Sequence, residues 1–171
     1  MRPALLLHPR VEHVVWPTAL EAARRAAQLV SVVEFQSPEV DPADDSYYGR
    51  VLSAAWKRAA SGALDLIVIE HDVIVTREII EAFAACSRMH CAFTTWLGNC
   101  YDVSLGCVRY RWQLMRSDPA LVTRARMIHD DGLGPDNWRR MDTRIARLVE
   151  PAHIHEPPAV HLHQYPTMPD D

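Results

Sequence analysis

LDLIVIEHDVIVTRE, residues Leu64 to Glu78, decides how the rest of this 171-residue chain is read. Leu66 to Ile69 is a short continuous apolar run rich in β-branched residues, the pattern of a strand buried on both faces. The run stops at Glu70-His71-Asp72, resumes at Val73 to Val75, and meets Thr76, placed to cap a helix that begins near Arg77. Two carboxylates and an imidazole therefore stand where a central strand leaves the core. In open α/β sheets ligands bind beyond the carboxyl ends of the strands, so this turn is expected to open onto the main cleft. Glu70 and Asp72 are two residues apart and project to the same side of an extended backbone. Adjacent carboxylates repel unless positive charge lies between them, and an oxygen-seeking divalent cation supplies it. The plainer alternative is a solvated acidic turn.

Outward from this stretch, the composition describes an ordinary globular chain. Apolar residues make up 49% and charged residues 23%, which excludes a disordered polyelectrolyte. A net charge of −4 gives no general basic footprint for gripping a duplex. The length suits a single domain, residues 1–171, with one sizeable core. Cys86, Cys91, Cys100 and Cys107 form no C-x-x-C pair and fall in apolar surroundings, so reduced, buried thiols are expected. With no signal-like or membrane-spanning run, the expectation is a soluble, cytoplasmic protein without membrane attachment.

Before the organising strand, Ala4 to Leu7 reads as a first buried strand that ends at His8-Pro9-Arg10. Thr18 to Glu21 matches a capping box, the helix behind it runs to Leu29, and Val30 to Phe35 forms a second strand. This β-α-β opening implies parallel strands with a right-handed crossover. Gln36 to Ser46 reads as a loop, and the apolar spacing from Tyr48 to Ala59 as a helix closed by Gly62.

After the acidic turn, a helix over 77–86 and a short strand over 91–93 are expected, followed by a loop from Thr94 to Ser104. Leu105 to Tyr110 reads as a strand in which Gly106 permits close approach of backbone. A helix is expected from Asp118-Pro119 to Met127, and His129 to Asp136 as an exposed loop whose glycines suit a lid.

Two later features carry chemistry. In the helix expected over 137–149, Asp142 sits beside the apolar stripe of Trp138, Met141 and Ile145. A carboxylate there is either paired, with Arg109, Arg139 or Arg144, or lines a polar cleft. The tail HIHEPPAVHLH places His153 with His155, and His161 with His163, at i and i+2. In a strand each pair faces one way, a frequent arrangement of metal ligands; solvated histidines on an edge strand are the alternative.

Taken together, from the first strand to about Tyr165, these stretches resemble a small GT-A-fold glycosyltransferase. The resemblance implies a Rossmann-like α/β three-layer sandwich with a mixed, mostly parallel central sheet. It implies transfer of a sugar from a nucleotide-diphosphate-sugar donor to an acceptor hydroxyl, hexosyl or pentosyl. The EHD turn stands where such enzymes carry a D-x-D motif holding Mn²⁺ or Mg²⁺, which assigns Glu70 and Asp72 to the metal, with His161 or His163 closing the site. His8, Arg10, Glu34 and Gly106, together with Glu70 and Asp72, would hold the nucleotide sugar, and Asp142 in WRRMD would be the catalytic carboxylate. The chain is short for this fold, so the acceptor is expected to be a macromolecule (a protein or a modified nucleic acid) or the site to be completed in a homo-oligomer. The alternatives are a metal-dependent hydrolase gathering the H-x-H pairs and Asp72 around water, and a non-enzymatic binding module.

Overall fold

The computed structural model describes residues 2–11, 17–29, 32–40, 44, 46–96, 101–102, 106–128, 141–149 and 152–162. In chain order the first elements are β1 (Ala4–Leu7), β2 (Arg10–Val11), α1 (Pro17–Leu29), β3 (Val32–Gln36), β4 (Glu39–Val40) and α2 (Tyr47–Ser61). The organising stretch gives β5 (Asp65–Ile69), β6 (Val73–Ile74) and α3 (Arg77–Ala85). Then come β7 (His90–Trp96), β8 (Tyr101–Asp102), β9 (Cys107–Tyr110), α4 (Trp112–Ser117), α5 (Leu121–Arg126), α6 (Met141–Ala146) and β10 (His153–His161).

The apolar runs become interior strands because no polar face is left to them. All four residues of β1 and all five of β5 are buried. Leu5, Leu7, Leu66 and Val68 face a cluster completed by α2, α4, α5 and α6, including Trp56, Met115, Val122 and Ile145. Ala4, Leu6, Ile67 and Ile69 face the other way, onto Ala23 of α1 and Ile80 and Phe83 of α3. Alternation along each strand thus serves two cores, with helices on both sides of one sheet.

The sheet order is β3-β1-β5-β9-β7-β10-β6, with β8 paired to β7. β1 is parallel to β3 and β5, and β10 is parallel to β7. β9 runs antiparallel to β5 and β7, and β6 antiparallel to β10. The chain is therefore an α/β protein on a mixed sheet with β5 in its interior, and the carboxyl ends of β1, β5, β7 and β10 share one edge.

One buried ion pair ties the strands to the helices. Arg109 of β9 donates to Asp65 (3.3 Å) and to the carbonyls of Cys86 (3.1 Å) and Arg88 (2.8 Å). The second oxygen of Asp65 accepts from the Trp112 backbone N–H at 3.0 Å, fixing the start of α4. At the start of α2, Gly49 meets α6: a Cβ there would lie 3.1 Å from the Met141 methyl. Hydrogen at this position lets the two helices approach.

Several boundaries differ from the sequence-based expectation. The loop expected over 36–46 contains β4, which pairs in parallel with β2 through Arg10↔Glu39 and prolongs the β1–β3 ladder. The loop expected from Thr94 begins as strand, because β7 continues to Trp96 and turns back through β8. The helix α4 went unrecognised, its six residues being too few for a 3.6-residue period. Asp118 does not start a helix; it ends α4 with φ −141°, as the residue before a proline avoids the helical region, and α5 begins at Leu121. The proposed lid over 129–136 lies outside the described residues.

Candidate active site at the carboxyl edge of the sheet

Glu70, His71 and Asp72 form the tight turn between β5 and β6. The Val73 N–H donates to the Glu70 carbonyl at 3.2 Å, closing the turn. The Glu70 N–H donates to the Gly106 carbonyl at 3.0 Å, so the close approach expected of Gly106 is made by its backbone against the acidic turn. Glu70 is half-buried, whereas Asp72 is only 4% exposed. Thr76 caps α3 through a bond from the Ile79 N–H at 3.4 Å and turns the chain back into the core.

His8 follows β1 at the same edge, where its N–H continues the ladder to the Gln36 carbonyl at 2.8 Å. Its side chain is buried, and neither ring nitrogen has a hydrogen-bond partner among the described residues. Burial pushes the His8 pKa down to about 4, with His71 and Arg10 acting in the same direction and Asp72 opposing them. His8 is thus a neutral imidazole at pH 7 in the field of the Asp72 carboxylate. His71 Nε2 lies 3.9 Å from Asp72 Oδ2, an ion pair only when that ring is protonated.

The tail reaches this edge through β10. His161 is in register with Val73, and the Leu162 N–H donates to the Asp72 carbonyl at 2.7 Å. The backbone of His161 is thereby laid beside the acidic turn, on an interior strand and not on a sheet edge. His163 and the His161 side chain lie outside what the structure describes. Of the remaining sequence candidates, Arg10 begins β2 and donates to the Ser37 carbonyl at 3.2 Å, one step beyond His8. Glu34 is not brought to this edge: it pairs with Leu5 in mid-strand, and its carboxylate holds Arg58 of α2 (2.8 Å) and the Gln36 amide (2.6 Å). Asp142 lies in the first turn of α6, with its side chain outside the description. Its suggested partner Arg109 is committed to Asp65.

The other H-x-H pair goes elsewhere. His153 and His155 are in register with Cys91 and Phe93, at the far end of β10 from Asp72. Gathering them and Asp72 around one water, as a hydrolase would, is incompatible with that register. A cleft of about 600 Å³ lies at this far end, lined by Arg88, His90, Leu114, Val149 and His153. Among the described residues no carboxylate lines it, so this cleft is not the one onto which the acidic turn was expected to open. Among the described residues, the one group of three potential metal ligands within 4.8 Å of each other is Cys86, His153 and His155. Sequence reasoning missed Cys86, whose signal (a thiol closing a helix) becomes meaningful only once β7 and β10 are known to be neighbours.

No helix among the described residues is long and apolar enough to cross a membrane. No family model matches the chain, and no curated protein matches it. Among solved structures, the chain is similar to a glycosyltransferase involved in the glycosylation of the major capsid of PBCV-1. The TM-score is 0.61 at 12% sequence identity, and the match covers 94% of this chain and 94% of that one. At this identity the likeness is one of fold.

Proposed function

We propose that the chain is a glycosyltransferase acting at the carboxyl edge of its sheet, with a nucleotide-diphosphate sugar as donor. The observation that carries this reading is the register of β10, which lays His161 beside Val73 and bonds Leu162 to Asp72, next to a buried carboxylate on a fold like that of a glycosyltransferase. A carboxylate as buried as Asp72 favours a cation beside it, and one of the imidazoles in its field, His8, is neutral at pH 7. Oxygen ligands from Asp72 and Glu70 with one tail imidazole, His161 before His163, suit Mn²⁺ or Mg²⁺. When bound, such an ion stabilises the negative charge that develops on the departing diphosphate.

The chain's own residues supply the rest. The Glu70–Gly106 backbone bond ties the acidic turn to the residue that precedes β9. His8, just after β1, and Arg10, at the start of β2, are the residues proposed to meet the nucleotide. Asp142, in the first turn of α6, is the proposed general base that takes the acceptor hydroxyl proton. A macromolecular acceptor, protein before nucleic acid, accords with the short chain and with the neighbour's part in glycosylating a capsid.

Calorimetric titration of nucleoside diphosphates with and without Mn²⁺ tests this reading. Metal-dependent binding is expected in the unaltered protein and its loss in Asp72→Ala. That substitution leaves the Asp72 main-chain bond to Leu162 in place, so the fold should survive. Unchanged metal-dependent affinity in Asp72→Ala would refute the site.

A further inference from the structure

We propose that Cys86, His153 and His155 form a zinc site at the end of the sheet opposite the acidic turn, with solvent in the fourth position. Their ligand atoms, one thiol sulfur and two imidazole nitrogens, all lie within 4.8 Å of one another. Tetrahedral zinc with bonds of about 2.3 Å to sulfur and 2.0–2.1 Å to nitrogen needs these atoms roughly 3.3–3.6 Å apart. Rotation of side chains by about an ångström closes that difference.

The three residues come from two elements that the fold fixes independently. Cys86 closes α3, its N–H bonded to the Ala82 carbonyl at 3.0 Å. Its carbonyl accepts from Arg109 (3.1 Å) and Arg111 (3.2 Å), which anchors the residue from the β9 side. His153 and His155 are i and i+2 on β10 and so face the same side of the sheet. The His155 ring is stacked on Phe93, with centroids 5.1 Å apart, and meets Phe83 edge-on at 6.1 Å. Its orientation is therefore set by packing. Its Nε2 is buried without a hydrogen-bond partner among the described residues, a cost that a bound metal or a water would remove. His153 stands perpendicular to it at 4.8 Å, is exposed, and also lines the 600 Å³ cleft, which gives the site an entry path and room for a water ligand.

The ligand chemistry separates this site from the acidic turn. One thiolate and two imidazoles suit zinc, whereas the oxygen-rich set at Glu70 and Asp72 suits harder cations. The nearby Arg109 guanidinium, which would oppose a cation, is compensated by Asp65. A metal here would clamp the first residues of β10 onto α3 and β7, steadying the strand whose far end reaches the acidic turn.

Metal-free full-length chain titrated with Co²⁺, then with Zn²⁺ against a chromophoric chelator, tests the proposal. One equivalent of Co²⁺ should produce a thiolate-to-cobalt charge-transfer band that Zn²⁺ abolishes, and Asp72→Ala should retain it. Cys86→Ser should lose the band and weaken zinc by more than the roughly 100-fold seen when outer-shell partners are removed. His153→Gln, at an exposed position that does not hold the core, should weaken zinc comparably and serves as the second variant should Cys86→Ser fail to fold. Absence of the band in the unaltered chain, or its survival in Cys86→Ser, would overturn the site. So would unchanged zinc affinity in His153→Gln.

Discussion

Replacing Arg109 by Ala should remove a large part of the protein's stability. The guanidinium is 2% exposed and satisfies three acceptors at once: Asp65 and the carbonyls of Cys86 and Arg88. Its loss strands the Asp65 carboxylate, itself 3% exposed, which keeps the bond from the Trp112 N–H. Breaking a buried pair from one side costs about 3–5 kcal/mol, because the surviving charge stays desolvated. That is about a fifth or more of the stability of a typical domain, about 5–15 kcal/mol. With a urea slope of about 2 kcal/mol per molar, the unfolding midpoint should fall by about 2 M at constant slope. Measurements belong in chelator, so that any metal at Cys86 does not contribute. A cycle with Asp65→Asn separates the pair from general packing: the double variant should lose less than the two singles combined, by about 2 kcal/mol. A loss in Arg109→Ala of under about 1 kcal/mol, as at a surface pair, with no coupling to Asp65, would refute the reasoning.

Two further outcomes are expected. His8 is held neutral with a pKa of about 4 when folded, against 6.5 when unfolded, so between those values the unfolded chain binds the extra proton. Stability should therefore fall as pH drops through that window, by up to about 3 kcal/mol from this group. His8→Leu should flatten that part of a pH series of urea melts. Thr76→Ala removes, from an exposed residue, a cap whose bond is long at 3.4 Å, so the cost should lie near 0.5–1 kcal/mol, read as a drop in melting temperature.

Much of the scaffold was legible because strong local patterns coincided with burial. The runs at Ala4–Leu7 and Leu66–Ile69 are apolar throughout, and only interior strands tolerate that. Thr76 caps α3 as its chemistry suggests, and Gly62 ends α2 where expected, although the left-handed residue there is Ala63. The acidic turn was legible as a candidate because carboxylates interrupt such a run abruptly. What sequence could not provide was pairing between distant segments. The hydrogen bond of Arg109 to Asp65 joins β9 to β5, and the parallel register of His153 with Cys91 joins the tail to β7. Neither leaves a periodic trace, since register is fixed by cross-strand packing and not by local spacing. The two H-x-H pairs therefore read as neighbours along the tail, whereas β10 places His153 and His155 at one end of the strand and the His161 backbone at the other. Glu34 failed as a site candidate for a related reason: its position in β3 is level with Leu5, below the edge, where Arg58 meets it.

The place of β10 between β7 and β6 also sets the order in which a growing chain can become competent. The acidic turn leaves the ribosome early, but its neighbouring strand is not made until residue 161 has been joined. At about 5–20 residues per second, the intervening synthesis takes several seconds. During that time β7 has an unpaired margin and Val73–Ile74 has no partner strand, so the nascent chain carries open edges of the kind that recruit chaperones or stray strands. The Asp72 carbonyl likewise waits for the Leu162 N–H. The pairing of β6 is thereby deferred until the tail has been threaded into the sheet.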